Sequence, residues 1–139
     1  MLDGFQLIDV HLHAARKTTL KLPWDTWVQG FADRDVMDRL YDSSGAVIPA
    51  AFDSLLAAEG VDTGLLMCEY SPKVTGLQAI EDMLPIAGFN PDRVKVIASV
   101  NPHYHYPVDD EVRRQLALGA VALKVHPVHA GVAANDRML

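Results

Sequence analysis

The chain has 139 residues, of which half are apolar and 22% are charged, and its formal net charge is −6. This composition is typical of a globular domain with a hydrophobic core, and the acidic balance argues against nucleic acid or an anionic membrane surface as a partner. No apolar run reaches the roughly 18 residues that span a bilayer, no basic leader precedes an apolar stretch, and the single cysteine fits a reducing compartment, so a cytoplasmic protein is expected.

Four short apolar segments are predicted to form buried β-strands, because each is short or rich in β-branched residues. In chain order these segments are Phe5–Leu12, Val61–Cys68, Val94–Val100 and Ala120–Val125. Cys68 ends the second segment, and we therefore expect a buried structural thiol there rather than a catalytic one.

Four helices are predicted between these strands. In chain order they are Asp33–Tyr41, Ala50–Glu59, Leu77–Ala87 and Val108–Leu118. Pro49 and Gly60 flank the second helix as typical start and stop residues, and Pro85 is expected to disturb the last turn of the third.

The alternation of strands and helices is typical of parallel βα units, and it predicts one α/β domain over residues 1–139. A longer segment follows the first strand before the first helix. It holds Trp24, Trp27 and Phe31, and we expect it to cover one end of the sheet.

The pattern of faces along the strands favours a barrel over a flat sheet. Alternate side chains point to the same face of a strand, so Asp9, His11 and His13 share one face of the first strand. Lys124 and His126 likewise share one face of the fourth. A sheet covered by helices on both sides would be apolar on both faces, whereas a barrel has room for polar side chains near its open end.

All six histidines end or follow a predicted strand. They are His11, His13, His103, His105, His126 and His129. Because the functional sites of parallel βα proteins form at the carboxyl edge of the strands, the sequence predicts a site at this edge.

His11 and His13 are the predicted metal ligands. His-X-His on a strand places two imidazoles on one face with Cα atoms roughly 6 to 7 Å apart, which lets both reach one divalent ion. Asp9 lies two residues earlier on the same face and is expected to orient one imidazole. The alternative is a pair of buried, hydrogen-bonded histidines.

Lys124 and His126 are the predicted catalytic residues of the fourth strand. A lysine beside a metal can pair with an acidic group, bind an anionic substrate or, once carboxylated, bind the metal. The alternative is a lysine that extends to solvent. His126 is also a predicted substrate-binding residue. For His129, the sequence supports a residue of the site and a residue outside the site equally.

Further substrate contacts are predicted at Asn101, which ends the third strand, and at His103 in the loop that follows. This loop runs to Tyr106 and is predicted to cover a substrate or to lie on the surface rather than to bind a metal. Glu69 and Tyr70 follow the second strand, and the sequence leaves open whether they contact substrate or belong to a solvated loop.

Two segments resemble a known family. Ile8-Asp9-Val10-His11-Leu12-His13 resembles the first-strand motif of the amidohydrolase superfamily. The segment Gly119-Ala120-Val121-Ala122-Leu123-Lys124-Val125-His126-Pro127 resembles the fourth-strand segment of its amidohydrolase-related branch, which includes aminocarboxymuconate-semialdehyde decarboxylase. Two shorter segments are similar to the residues that lead into the second and third strands of that branch. They are Gly60-Val61-Asp62 and Pro91-Asp92-Arg93-Val94.

The resemblance covers the whole chain in order, and it implies a distorted (β/α)8 barrel of the TIM type of which this chain supplies about the first four βα units. It also implies that His11 and His13 bind a divalent metal ion, with zinc the preferred one. Lys124 and His126 would lie in or near the substrate site. The implied reaction is hydrolysis or non-oxidative decarboxylation of a small carboxylic or carbonyl substrate.

A barrel of this kind needs about 250 residues, and the family's later histidines and its general-base aspartate have no counterpart here. We therefore expect an N-terminal half that works as a homo-oligomer or with a missing C-terminal half. One alternative is a TatD-like or PHP-like metal phosphoesterase, which shares the first motif. The other is a non-catalytic half-barrel that functions only within an oligomer or a split protein.

Overall fold

The computed structural model describes residues 4–30 and 33–139. In chain order its elements are β1 (Ile8–Leu12), a 3-10 turn (Lys17–Thr19), α1 (Leu22–Gln29), α2 (Arg34–Leu40), α3 (Pro49–Ala58), β2 (Thr63–Met67), β3 (Glu69–Ser71), β4 (Gly76–Gln78), α4 (Ile80–Phe89), β5 (Val94–Val100), α5 (Val108–Ala117), β6 (Ala122–Val125) and α6 (Pro127–Ala130). The four predicted strands are therefore present as β1, β2, β5 and β6.

The four strands form one parallel sheet in the order β1-β2-β5-β6, which curls as half of a barrel. The predicted fold class, parallel βα units of the TIM-barrel type, is confirmed. Because all four strands are parallel, their carboxyl ends lie along one edge of the sheet.

The hydrophobic core lies between the sheet and the helices on its outer side. Leu66 of β2 and Ile80 and Met83 of α4 are completely buried, and Phe52 of α3 and Val96 of β5 pack in the same cluster. The outward faces of the strands are thus the apolar ones, as the alternation of residue types predicted.

The antiparallel hairpin β3–β4 was not predicted, because strands of three residues carry no recognisable periodicity. Gly76 in this hairpin has φ of +115°, and a Cβ atom there would lie 2.2 Å from the backbone oxygen of Thr19, so only glycine fits. The predicted start of the third helix was wrong. Leu77 and Gln78 belong to β4, and α4 begins at Ile80.

Two short helices were also not predicted. α1 carries Trp24 and Trp27 in the segment expected to cover the end of the sheet, and α6 follows β6 directly. Phe31 of the same predicted segment lies outside the described residues. Pro85 does not disturb α4 as expected, because the helix continues past it to Phe89 and the proline faces solvent.

Cys68 has no exposed surface, and burial raises the pKa of its thiol to about 12. The prediction of a structural thiol is confirmed, since a thiol this buried and this weakly acidic is a poor nucleophile. In the described part of the chain no helix has the length and apolar character needed to cross a membrane.

Candidate metal and active site

A cleft of about 510 Å³ lies at the carboxyl edge of the sheet. Its polar lining comes from β1 and the residue after it, from the β3–β4 hairpin and from β6 with α6, and its apolar lining comes from the segment around α1. The lining residues are His11, His13, Ala15, Leu20, Trp24, Trp27, Glu69, Thr75, Gln78, Lys124, His126 and His129. Four of the six histidines are therefore brought together, as are the predicted metal ligands and the predicted catalytic residues.

The imidazoles of His11 and His13 converge on each other. Their Nε2 atoms are 3.0 Å apart, and the ring centroids are 5.0 Å apart with planes tilted by 53°. Two imidazole nitrogens bound to one tetrahedral zinc ion lie about 3.3 Å apart, given Zn–N bonds of about 2.0 to 2.1 Å. The two nitrogens are thus at hydrogen-bond distance and within about 0.3 Å of the spacing of two ligands on one metal ion.

Gln78 holds the ring of His13 from the other side. The Oε1 atom of Gln78 lies 2.9 Å from Nδ1 of His13, so Nδ1–H donates to the amide oxygen and Nε2 keeps its lone pair toward His11. Burial lowers the pKa of His13, against the opposing effect of the Gln78 hydrogen bond. A neutral ring with its other nitrogen hydrogen-bonded is the form in which histidine binds metal ions.

Asp9 does not orient an imidazole as expected. Its Oδ1 atom accepts a hydrogen bond of 2.9 Å from the backbone N–H of His11, and the register between β1 and β2 shifts between Asp9 and Leu12. The carboxylate thus stabilises an irregular strand end, and Gln78 takes the role that the sequence had assigned to Asp9. No signal in the sequence marked Gln78, since the hairpin that carries it was not predicted.

Glu69 and Tyr70 are buried in β3, so the alternative of a solvated loop is wrong for both. The Glu69 carboxylate accepts hydrogen bonds from Thr75 Oγ1 at 2.8 Å and from His129 Nδ1 at 2.7 Å. Its burial opposes ionisation, but these hydrogen bonds, a further one from Ser71 and the nearby Lys124 ammonium outweigh it and lower the pKa of Glu69 to about 2. An ionised carboxylate therefore lies at the base of the cleft.

Lys124 points into the cleft rather than to solvent, and its side chain is 15% exposed. Its Nζ atom lies 3.6 Å from Oε2 of Glu69 and 3.4 Å from Nε2 of His11. Of the roles weighed from the sequence, the ion pair with an acidic group is the one present in the structure.

His126 and His129 stack in the wall of the cleft, with ring centroids 3.5 Å apart and planes 9° from parallel. Nδ1 of His126 accepts a hydrogen bond of 3.4 Å from the backbone N–H of His129, which caps the start of α6. Burial lowers the pKa of His126, and the neighbouring His129 and Lys124 add to this effect. His126 is therefore a neutral ring at pH 7, in which Nδ1 is the acceptor and Nε2–H can donate a hydrogen bond into the cleft.

Asn101 and His103 line a separate, smaller pocket of about 170 Å³, which His129 separates from the main cleft. The amide of Asn101 donates to the Tyr70 carbonyl at 2.8 Å and accepts from the His103 backbone N–H at 3.0 Å. Its hydrogen-bonding groups thus tie β5 to β3. His105 packs edge-on against Tyr70, with ring centroids 4.4 Å apart. Substrate binding by Asn101 and His103 stays a prediction.

The donor set for a metal ion is limited to the two histidines. Among the described residues, no group of three or more His, Cys, Asp or Glu side chains is arranged to hold a metal ion. The His11–His13 pair fits two positions of a tetrahedral or octahedral ion, and further ligands have to come from water, substrate or other protein segments.

No protein-family model matches the sequence, and no curated protein matches it either. The fold and the sheet edge define the chain as half of a TIM barrel. The chain is similar to the solved structure of an uncharacterized TIM-barrel protein from Bordetella bronchiseptica, with a TM-score of 0.62 and 18% identity over 97% of this chain and 49% of that one.

The chain is also similar to the crystal structure of a probable 2-pyrone-4,6-dicarboxylic acid hydrolase from Acinetobacter baumannii with citric acid bound. The TM-score is 0.53, with 20% identity over 96% of this chain and 43% of the other. At these identities the likeness establishes the fold alone. The chain spans about half the length of the solved structures that it matches.

Proposed function

We propose that this chain contributes the first four βα units and two metal ligands to a metal-dependent hydrolase of the amidohydrolase-related type. His11 and His13 bind a divalent ion, zinc in preference to others, and Lys124 and His126 hold an anionic group of the substrate. The substrate is a small carboxylic or carbonyl compound, and the reaction is hydrolysis or non-oxidative decarboxylation.

The observation that carries the proposal is the convergence of His11 and His13. The two Nε2 atoms lie 3.0 Å apart, and Gln78 holds Nδ1 of one of the rings, which supports the proposal that the pair binds a cation. A structural pair of histidines needs only one donor and one acceptor between the rings. It does not need an amide that fixes the tautomer of His13 from behind.

A divalent ion held by His11 and His13 would lower the pKa of a bound water and polarise a carbonyl oxygen. The residues of this chain supply the remaining functions. Lys124 places a positive charge beside the pair, where it attracts a carboxylate. Trp24 and Trp27 stack with ring centroids 4.6 Å apart and give the cleft an apolar wall, which suits a planar substrate.

The comparison with solved structures supports an anionic substrate. One of them is described as a probable 2-pyrone-4,6-dicarboxylic acid hydrolase and has citric acid bound, and both of these compounds carry several carboxylates. The Lys124 ammonium and the Nε2–H of His126 are suited to the same chemistry in this cleft.

We also propose that further βα units complete the barrel, from a longer polypeptide or a second chain. β1 and β6 form the two edges of the described sheet. Beside these edges the outward side chains of Ile8, Val10, Val121 and Leu123 are between 45% and 61% exposed. Exposed apolar side chains along an unpaired strand edge are typical of a surface that another strand covers.

A zinc titration by calorimetry tests the metal site. We expect His11→Ala and His13→Ala each to abolish stoichiometric zinc binding. Gln78→Leu should weaken it by about 10-fold to 100-fold, because the His13 ring loses its support. His103→Ala is the matched control, since this loop histidine lies outside the cleft, and it should bind zinc as the unaltered chain does. Unchanged zinc binding in both the His11 and His13 variants would show the proposal to be wrong.

A further inference from the structure

Glu69 and His129 form a carboxylate–imidazole pair in the wall of the cleft. Oε1 of Glu69 lies 2.7 Å from Nδ1 of His129, and the same oxygen accepts a hydrogen bond of 2.8 Å from Thr75 Oγ1. Glu69 is 4% exposed and lies in β3, whereas His129 lies in α6. A buried carboxylate that two donors hold in place fixes the ring that binds to it.

We propose that His129 is the proton-transfer residue of this cleft and that Glu69 is the residue that positions it. This inference rests on the proposed function. Because Nδ1–H donates to Glu69, the lone pair of the ring lies on Nε2. Within the described residues no group hydrogen-bonds Nε2 of His129, although the ring lines the same cleft as His11 and His13. That nitrogen is therefore available to a water molecule or a substrate.

The proposed step is hydrolysis at a carbonyl carbon. Nε2 of His129 takes a proton from a water molecule while the water oxygen bonds to the carbon, and the electron pair of the C=O bond moves to the carbonyl oxygen. That pair then re-forms the C=O bond, and the bond to the leaving oxygen or nitrogen breaks. Nε2–H gives its proton to the leaving atom. Between the two transfers the ring is an imidazolium, which the Glu69 carboxylate stabilises.

The other charged and titratable groups around His129 explain why it needs a carboxylate partner. Lys124 of β6 lies 3.6 Å from Glu69, and the ring of His126 stacks on His129. Lys73 and His103 line the small pocket on the other side of His129. All four of these groups are cationic or become so on protonation, so Glu69 supplies the only negative charge among the residues named here.

The test uses NMR of the 139-residue chain without metal. Nitrogen shifts of the His129 ring should show a hydrogen on Nδ1 and none on Nε2, and the Nδ1–H proton should resonate far downfield with slow exchange. Glu69→Gln should abolish that downfield resonance. Thr75→Val is the matched control, since it removes the other hydrogen bond to the same oxygen but keeps the carboxylate, and it should keep the resonance.

The reactivity of His129 gives a second readout. Diethyl pyrocarbonate acylates unprotonated imidazoles, and fragment masses of the peptide that holds His126 and His129 assign the modified ring. With His103 in the same digest as reference, Glu69→Gln should slow acylation of His129 about tenfold, because a charge-assisted hydrogen bond to the developing imidazolium is lost. Thr75→Val should stay within about twofold of the unaltered chain, because the carboxylate remains.

A hydrogen on Nε2 of His129 in the unaltered chain, or equal acylation rates with and without Glu69, would overturn the inference. If Glu69→Gln does not fold, the tautomer in the unaltered chain and in Thr75→Val decides alone. Zinc titration of the same samples separates the two proposals. If the chain binds zinc but His129 carries its hydrogen on Nε2, only the inference about His129 is rejected. If His129 carries its hydrogen on Nδ1 but the chain does not bind zinc, only the metal-dependent function is rejected.

Discussion

Glu69 is a buried carboxylate that stays ionised in the cleft. Burial alone would keep it protonated, and the hydrogen bonds from Thr75 and His129 together with the Lys124 ammonium reverse that preference. Thr75 lies in the turn before β4, Lys124 in β6 and His129 in α6. The charge of one side chain therefore stabilises the arrangement of three segments. The folded state therefore depends on this carboxylate being ionised.

This dependence predicts how stability responds to pH. The pKa of Glu69 falls from an ordinary value of 4.5 to about 2 on folding, so below pH 4.5 the unfolded chain takes up a proton that the folded chain does not. The contribution of Glu69 is therefore complete above about pH 5 and is lost as the pH falls toward 2. It amounts to about 3 kcal/mol by linkage.

We expect Glu69→Gln to lower the free energy of unfolding at pH 7 and the difference from the unaltered chain to shrink toward pH 2. Urea unfolding at a series of pH values measures it. Glu59→Gln, a change at an exposed glutamate, should stay within about 0.5 kcal/mol of the unaltered chain. A difference for Glu69→Gln that stays constant from pH 7 to pH 3 would contradict this account.

At the residue scale, what the sequence predicts depends on distance along the chain. His11 and His13 are two residues apart on one strand, so their shared face follows from the geometry of a strand alone. Gln78 is 65 residues from His13, and Glu69 is 60 residues from His129. These contacts exist only once the sheet and the hairpin are assembled, and no local pattern marks them.

The attachment of α5 to β5 is the clearest polar contact between elements. Gln115 is completely buried, and its amide accepts a hydrogen bond from the Ser99 backbone N–H at 3.0 Å and donates one to the Ser99 carbonyl at 2.8 Å. These bonds satisfy backbone groups of a strand in the way a neighbouring strand would.

We expect Gln115→Met to destabilise the fold by about 2 kcal/mol, because it leaves the N–H and C=O of Ser99 buried without partners while keeping the volume of the side chain. Equilibrium unfolding in urea measures the effect. Arg113→Ala on the exposed face of the same helix is the control and should change stability by no more than about 0.5 kcal/mol, since its ion pairs with Asp109 and Asp110 are exposed. Equal effects of the two changes would show that Gln115 does not hold the helix.

The elements predicted from the sequence are those with a long or well-delimited signal. β5 was predicted over the residues that it occupies, Val94–Val100, and α3 begins at Pro49 and ends before Gly60, the two residues that marked it. The hairpin β3–β4 and the short helix α6 have three or four residues per element, which is too few for a periodic pattern. Their positions are set by contacts with distant parts of the chain.

Over the described residues, the parallel sheet has β1 and β6 as edge strands with a neighbour on one side only. His11 on β1 and His13 just after it lie at one edge strand, and Lys124 lies on β6 at the other. The curl of the sheet brings Nζ of Lys124 within 3.4 Å of Nε2 of His11. The same curl exposes apolar side chains beside both edges. Strand pairing at these edges is the expected route by which the chain associates with a partner.

We expect the isolated chain to self-associate with rising concentration, as measured by analytical ultracentrifugation. Leu123→Lys, on the outward face of β6, should shift the chain toward monomer, because a lysine on an edge strand opposes strand pairing. Val128→Lys is the control, since Val128 is 82% exposed but lies in α6 rather than in an edge strand. A chain that is monomeric at every concentration would argue against the need for covering βα units.

His11 and His13 are expected to bind one metal ion between their Nε2 atoms. Anomalous diffraction at the zinc absorption edge, from crystals of the chain grown with zinc, locates the ion without reference to activity. We predict a peak about 2.0 to 2.1 Å from the Nε2 atoms of both residues, with Gln78 still bound to Nδ1 of His13. Zinc bound at other histidines only, with the two rings left in contact with each other, would contradict the account.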